Sequence, residues 1–315
     1  KGSSIMEEFA KRITLDNKQA RYYTLSNLTL NDLVSGNLNE STKRGSARPK
    51  AHFYGGNGFT VGNYKPLLSE LATDFDISAL AMRGYWYDKP KAKVLTREQD
   101  ADLLIKFLEQ TQDGPVIGIG HSQGATATAM AAAKRPDLFS ELYLIEPVTF
   151  TKSQALLYKL IPRSIKLKRQ PFKSALTKKA TWVSIDEYYD SLREKNAYRR
   201  IADNDLYLFA KESLIQQADN RYTFIFSPKQ EIANYFGIPY IDGALKKLAK
   251  TAVPYQLIIG KPTIFINDKV RRNWKKFVPA NQLHIMPKNG HLLPIEAPKQ
   301  CAEVIVQQFN RGINR

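Results

Sequence analysis

Hydrophobic positions in the first half of the chain fall into short apolar blocks separated by segments of helical spacing. Residues 51–55, 77–82, 116–119 and 142–145 are apolar runs too short for helices and bounded by turn residues, as expected of strands covered on both faces. Between them, 64–72 places Leu67, Leu68 and Leu71 on one helical face, and 97–110 does the same with Leu103, Leu104, Phe107 and Leu108. Residues 125–134 form an alanine-rich helix that Pro136 ends. Residues 21–28 alternate loosely, as an exposed strand would, and 34–50 is a polar stretch expected to be a loop. The alternation stops at Pro147. From 148 to 250 the pattern is helical with no buried parallel strand, and strands return at 255–259 and 283–286 before a closing helix at 296–309. The expectation is an α/β fold with a mostly parallel sheet flanked by helices. Its core spans 1–147 and 251–315, and 148–250 is an inserted helical cap. In such sheets ligands bind beyond the C-terminal ends of the strands.

Composition refines this only slightly. The 315 residues are 43% hydrophobic, enough for a sizeable core and too apolar for a disordered chain. The single cysteine, Cys301, excludes a disulfide framework and is expected to be a small buried filler in the last helix. Residues 1–9 lack the apolar core of a secretory signal, and no run approaches the length of a spanning helix, so the expectation is a soluble, cytoplasmic protein.

The strongest chemical signal is Gly120-His121-Ser122-Gln123-Gly124, which follows the buried strand at 116–119 and opens the alanine-rich helix. A serine on such a strand–turn–helix elbow is lifted out of the sheet as a nucleophile, and small flanking glycines let the backbones approach. His121 points away in that geometry and is read as structural. A serine hydroxyl needs a base, and partners of an elbow serine follow it in the order acid, then histidine. Of the four histidines only His284 and His291 come late enough; His284 falls inside a strand, whereas His291 lies in the loop 289–294 before the last helix, so it is the expected base. The carboxylate that orients it is expected to be Glu146, at the end of a buried strand on the ligand-binding edge, with Asp268 as the alternative. Oxyanion donors are expected from the backbone N–H of Gln123 and of Asn57, the latter in the glycine turn 52–59.

At these residues the chain resembles the α/β-hydrolase superfamily, and within it a largely uncharacterised bacterial branch. The resemblance rests on Asn57-Gly58-Phe59, on Tyr64-Lys65-Pro66-Leu67-Leu68, on the acid–proline pair Glu146-Pro147, on the turn Gly260-Lys261-Pro262-Thr263 in the place of the usual acid turn, and on Gly290-His291. It covers nearly the whole chain and implies a Ser–acid–His hydrolase that needs neither cofactor nor metal. Two departures stand out: Gly55-Gly56 replaces the usual His-Gly, and the acid is Glu146 rather than Asp. Asn57 also stands where haloalkane dehalogenases keep a halide-binding Asn, but those enzymes need an Asp nucleophile where this chain has Ser122.

The net charge of +17 is concentrated: from 151 to 180 there are nine basic residues and no acidic one, interleaved with Leu156, Leu157, Leu160, Ile161, Ile165, Leu167 and Phe172. Three readings of this segment stand: a solvated cap face, contact with an anionic membrane surface, or attraction of an anionic substrate. Nucleic acid is excluded because no recognition motif accompanies the charge. The expected activity is hydrolysis of a carboxylic ester or thioester of a small molecule with an apolar acyl part. A C–C bond hydrolase or acyltransferase on the same triad, and a non-catalytic lipid-surface binder, are the alternatives.

Overall fold

The computed structural model describes residues 5–25 and 47–314. Its strands are β1 (Lys11–Leu15), β2 (Lys18–Thr24), β3 (Lys50–Tyr54), β4 (Asp76–Leu80), β5 (Val116–His121), β6 (Phe139–Ile145), β7 (Leu214–Gln216), β8 (Tyr222–Phe224), β9 (Tyr255–Ile259) and β10 (Leu283–Ile285). The helices are α1 (Lys65–Leu71), α2 (Arg97–Thr111), α3 (Gln123–Lys134), α4 (Lys152–Leu160), α5 (Arg163–Lys166), α6 (Phe172–Leu176), α7 (Ile185–Arg193), α8 (Asp203–Ser213), α9 (Pro228–Phe236), α10 (Asp242–Leu248), α11 (Asp268–Trp274), α12 (Leu293–Glu296) and α13 (Pro298–Ile313).

Eight strands form one sheet in the order β1-β2-β4-β3-β5-β6-β9-β10. The hairpin β1–β2 joins β4 antiparallel, and every other pairing is parallel. This is the α/β class expected from the alternation of apolar blocks and helices. The central strand β5 is buried along its whole length, with helices covering both faces of the sheet. On one side α2 packs on α3, and on the other α1 packs on α13. The α1 side chains Leu67, Leu68 and Leu71 are fully buried, each contributing roughly 1.5–3 kcal/mol of hydrophobic stabilisation.

Several boundaries differ from the pattern, each for a local reason. The first strands are β1 and β2, joined at Asp16 and Asn17, both at positive φ, so the strand expected at 21–28 begins earlier and ends at Thr24. Residues 26–28, and the part of the expected loop from 34 to 46, lie outside the described residues. The closing helix is two helices because Pro298 starts α13 at its first turn, where a missing N–H costs nothing. Cys301 is buried in α13, and burial pushes its thiol up to about 12, as a buried filler requires.

Between β6 and β9 the chain is mostly helical but includes the antiparallel pair β7–β8, which the apolar pattern does not reveal. Its three-residue strands are too short to show an alternation. The segment is anchored on the start of α1 and the turn before it: Lys65 forms a buried ion pair with Glu212 at 3.0 Å, Thr60 Oγ1 donates to the Glu212 carbonyl, and Asn63 Nδ2 donates to the Phe209 carbonyl and Ser213 Oγ. By contrast α10 packs on α3.

One core residue makes the fold sensitive to pH. His52 on β3 is fully buried, its Nε2 accepts the Leu80 N–H at 3.0 Å, and its Nδ1 has no partner among the described residues. Burial lowers its pKa from 6.5 to about 3. The unfolded chain therefore binds a proton that the native state refuses. The resulting stability is fully present above about pH 6.5 and is lost progressively as pH falls toward 3, at up to about 1.4 kcal/mol per pH unit. Urea unfolding of His52→Phe between about pH 6.5 and 4.5 is expected to show a pH slope shallower than wild type by about one proton; equal slopes would contradict a buried neutral histidine.

Candidate active site

Parallel pairing brings four strand ends to one edge. Tyr54 of β3 pairs with Gly120 of β5, and Ile145 of β6 pairs with His121 of β5 and with Ile258 of β9. The residues just beyond these ends, Gly55–Asn57, Ser122, Glu146 and Gly260, are therefore neighbours although far apart in sequence.

Ser122 turns β5 into α3 with φ 57° and ψ −120°, a left-handed backbone that costs a non-glycine residue on the order of 1–3 kcal/mol. The conformation is held from both sides: the Ser122 N–H donates to the Ile145 carbonyl at 2.9 Å, and α3 lies hard against β3. A Cβ on Gly124 would come within 2.1 Å of the Tyr54 carbonyl oxygen, and one on Gly120 within 2.6 Å of Ala125 Cα, so only glycine lets the elbow close.

Across the edge, Ser122 Oγ is 2.9 Å from His291 Nε2, and His291 Nδ1 is 3.3 Å from Glu146 Oε1. Glu146 is fully buried and also has positive φ, 46°. Its second oxygen, Oε2, accepts the Gly260 N–H at 3.0 Å, so the turn without a carboxylate supplies a donor to one. The histidine loop is docked on the same turn, since the Lys261 N–H donates to the Asn289 carbonyl at 2.6 Å and a Cβ on Gly260 would meet that oxygen at 2.3 Å. The Phe265 ring stacks on His291 with centroids 4.4 Å apart. Asp268 lies exposed in the first turn of α11, and His284 on β10 is bonded to Gln256. The structure thus sets Glu146, rather than Asp268, against the ring of His291.

His121 is buried with both ring nitrogens engaged. Its Nε2 faces the His291 carbonyl oxygen at 2.8 Å, and a carbonyl only accepts, so Nε2 carries the hydrogen. Nδ1 then accepts from the Tyr64 hydroxyl at 2.7 Å, and that hydroxyl oxygen accepts the Gly56 N–H at 2.8 Å. Burial, with His291 nearby, lowers the His121 pKa to about 3, which keeps the ring neutral and the relay of donors intact. The elbow histidine therefore ties the His291 loop to the glycine turn. The motif beginning at Tyr64 was visible in the sequence, but nothing there showed that its hydroxyl would complete this link.

A second network fixes the glycine turn from the other side. Asp100, at the start of α2, is fully buried between two guanidiniums: Arg83 Nε donates to Oδ1 at 2.8 Å and Arg97 Nε to Oδ2 at 3.1 Å. Oδ2 also accepts from Gln123 Nε2 at 3.0 Å. Arg97 continues to the Asn234 carbonyl and side chain on α9, Asn234 Nδ2 donates to Asn57 Oδ1 at 2.9 Å, and Asn57 Nδ2 donates to the Glu231 carbonyl at 2.9 Å. The side chains of Gln123 and Asn57 are thus members of one buried network, which leaves the Asn57 amide engaged at both ends. The sequence reading missed this network; its one visible trace is the Arg97/Asp100 spacing at the start of a helix.

A family model described as the alpha/beta hydrolase fold matches residues 53–298. Over 258 residues the chain is 24% identical to an uncharacterised hydrolase, YugF, of Bacillus subtilis, covering 81% of this chain and 86% of that one. Among solved structures it is similar to E-2-(acetamidomethylene)succinate hydrolase, with a TM-score of 0.73 and 16% identity over 96% of this chain and 98% of that one. It is also similar to an esterase of M. tuberculosis, with a TM-score of 0.67 and 14% identity over 97% of this chain and 96% of the other. At these identities the structural likenesses bear on the fold.

Removing the charge of Asp100 leaves two buried guanidiniums uncompensated. Asp100→Asn is expected to destabilise the protein by about 3–5 kcal/mol in urea unfolding, whereas Asp102→Asn, which breaks a solvent-exposed pair with Lys134, should cost less than about 1 kcal/mol. Equal effects would show that the Asp100 network carries no special stability.

Proposed function

The chain belongs to the alpha/beta hydrolase fold family, and from that premise we propose that it is a serine hydrolase of carboxylic esters or thioesters with an apolar acyl part. The observation that carries the reading is the continuous contact from Ser122 Oγ through the His291 ring to Glu146. In this reading Nε2 accepts the Ser122 proton while Oγ attacks the substrate carbonyl, and the Nδ1–H donates to Glu146, which stabilises the imidazolium as it forms. The backbone N–H groups of Asn57 and Gln123 receive the developing oxyanion, each worth about 3 kcal/mol in the transition state. His291 returns the proton to the leaving alkoxide or thiolate. Water, deprotonated by the same nitrogen, then attacks the acyl-serine and releases the acid. The buried partners of Gln123 and Asn57 make both donors rigid before substrate arrives, which is what electrostatic stabilisation of a transition state requires.

The domain division follows the same logic. We assign the sheet and its flanking helices to a core, and the segment after β6 to a cap over the edge where Ser122 lies. Because α10 packs on α3, we place the end of the cap before α10 rather than at residue 250.

The test is hydrolysis of p-nitrophenyl esters of graded acyl length by the wild type and three variants. Ser122→Ala is expected to lower kcat by at least about four orders of magnitude and Glu146→Gln by about the same, with Asp268→Asn close to wild type. Loss in Asp268→Asn with retention in Glu146→Gln would sink the acid assignment. A folded wild type inactive at every acyl length would move the reading to C–C bond hydrolysis or to a non-catalytic binder.

A further inference from the structure

The helix α4 presents its apolar face to solvent. Leu156, Leu157 and Leu160 are 63%, 62% and 73% exposed, and no residue of α4 or α5 is buried. At 100° per residue these leucines share one side of the helix, with Lys152 and Lys159 beside them. The opposite side holds Tyr158, whose hydroxyl donates to the Tyr235 carbonyl at 2.6 Å and whose ring packs on Phe150. A helix of a soluble domain normally turns its leucines inward; here the tyrosine anchors the helix and the leucines face away from the body. Ile165 in α5 and Leu176 in α6 are likewise exposed, at 43% and 49%.

The charge around this face is equally one-sided. Lys178 and Lys179 are paired with Glu231 and Glu187, and Lys152 lies in the field of Asp242. Lys159, Arg163, Lys166, Lys168, Arg169 and Lys173 have no carboxylate within ion-pair distance among the described residues. Arg163 and Lys166 instead lie over aromatic rings, with Arg163 3.7 Å from the Phe236 centroid and Lys166 3.9 Å from that of Tyr158.

We propose that α4–α6 form a docking face for an anionic lipid bilayer, with Leu156, Leu157 and Leu160 entering the acyl boundary and the unpaired cations meeting the headgroup phosphates. Exposed leucines flanked by lysines along an in-plane helix are what such a surface requires, because the apolar side gains from burial while the long cationic stems reach back to the headgroups. A second copy of the chain is disfavoured as the occupant, since it would bring an equal cationic patch from a protein of net charge +17. The proposal does not depend on the chemistry at Ser122.

The test is co-sedimentation with vesicles of phosphatidylcholine and phosphatidylglycerol in about a three-to-one ratio, with phosphatidylcholine vesicles as control. The wild type is expected to bind the mixed vesicles, less tightly as salt rises, and to bind the neutral ones at least about ten-fold more weakly. The variant Leu156→Ser/Leu157→Ser/Leu160→Ser alters only exposed side chains and is expected to bind the mixed vesicles about ten-fold or more weakly than wild type, with an unchanged melting temperature. No binding by wild type, equal binding to both vesicle types, or equal binding by the variant would overturn the proposal. So would a concentration-dependent dimer in sedimentation velocity that the variant abolishes, which would assign the face to a second copy.

Discussion

A single buried carboxylate organises the edge of the sheet where Ser122, His291 and Glu146 meet. Asp100 gives up its hydration at the start of α2, and it is held there only because Arg83 and Arg97 converge on its two oxygens. Burial lowers the pKa of Arg97, and Asp100 opposes that shift, as expected where desolvated charges are compensated by one another. The cluster reaches outward in two directions. Through Gln123 it holds the residue after Ser122, and through Arg97, Asn234 and Asn57 it holds the glycine turn after β3. A hydrogen-bonded pair could have tied either element alone; only a multivalent ion cluster ties β3, α2, α3 and α9 together at one point.

The sheet supplies the remaining constraint. Ser122 and Glu146 occupy equivalent positions, one residue past the ends of the neighbouring strands β5 and β6, and both adopt positive φ. Neither residue type favours that backbone, so the strain must be met by the surroundings. It is met by hydrogen bonds continuing the parallel ladder, Ser122 N–H to Ile145 and Glu146 N–H to Ile258. The same geometry that bends the chain out of the sheet points both side chains toward His291, which comes from a distant loop. His121 and Tyr64 then fix that loop by its backbone rather than by its ring, leaving Nε2 of His291 for the serine.

How much of this was legible in the sequence depends on how local the cause is. Strands such as Val116–His121 and Tyr255–Ile259 could be read because burial on both faces demands an unbroken apolar run. The elbow could be read because its closure leaves room only for glycine at Gly120 and Gly124. Glu146 could be singled out because an acid at the end of a buried strand is costly without a purpose, and His291 because it is a late histidine in a loop rather than in a strand. Of the hairpin β1–β2 only part of β2 was legible, as the loose alternation from residue 21, since the pair lies at the sheet edge and within Lys18–Thr24 only Ala20 and Tyr23 are buried. The Asp100 cluster was illegible for a different reason. Arg83, Gln123, Asn57 and Asn234 lie on stretches other than α2, which carries Arg97 and Asp100, and nothing in their spacing along the chain joins these side chains. Only the packing of α9 against the turn at Arg83–Tyr85 makes them one buried group.

The segment after β6 divides into two parts with opposite physical character. Its later part is bound tightly to the core: Glu212 is buried against Lys65, and Asn234 and the Glu231 carbonyl hold Asn57. Its earlier part, α4 and α5, buries no residue and is attached through single contacts such as Tyr158 to Tyr235. Elements with few buried apolar contacts open locally at much lower free energy than the core. The rigid part is therefore the part that touches the glycine turn, and the loosely held part is the part whose leucines face outward. Movement of α4 and α5 would leave the Asn57 network and the Ser122–His291–Glu146 contacts in place, because none of those residues is bonded to either helix. Stability is concentrated where the geometry of the site demands it, and the least buried helices are the ones carrying the exposed apolar and cationic surface.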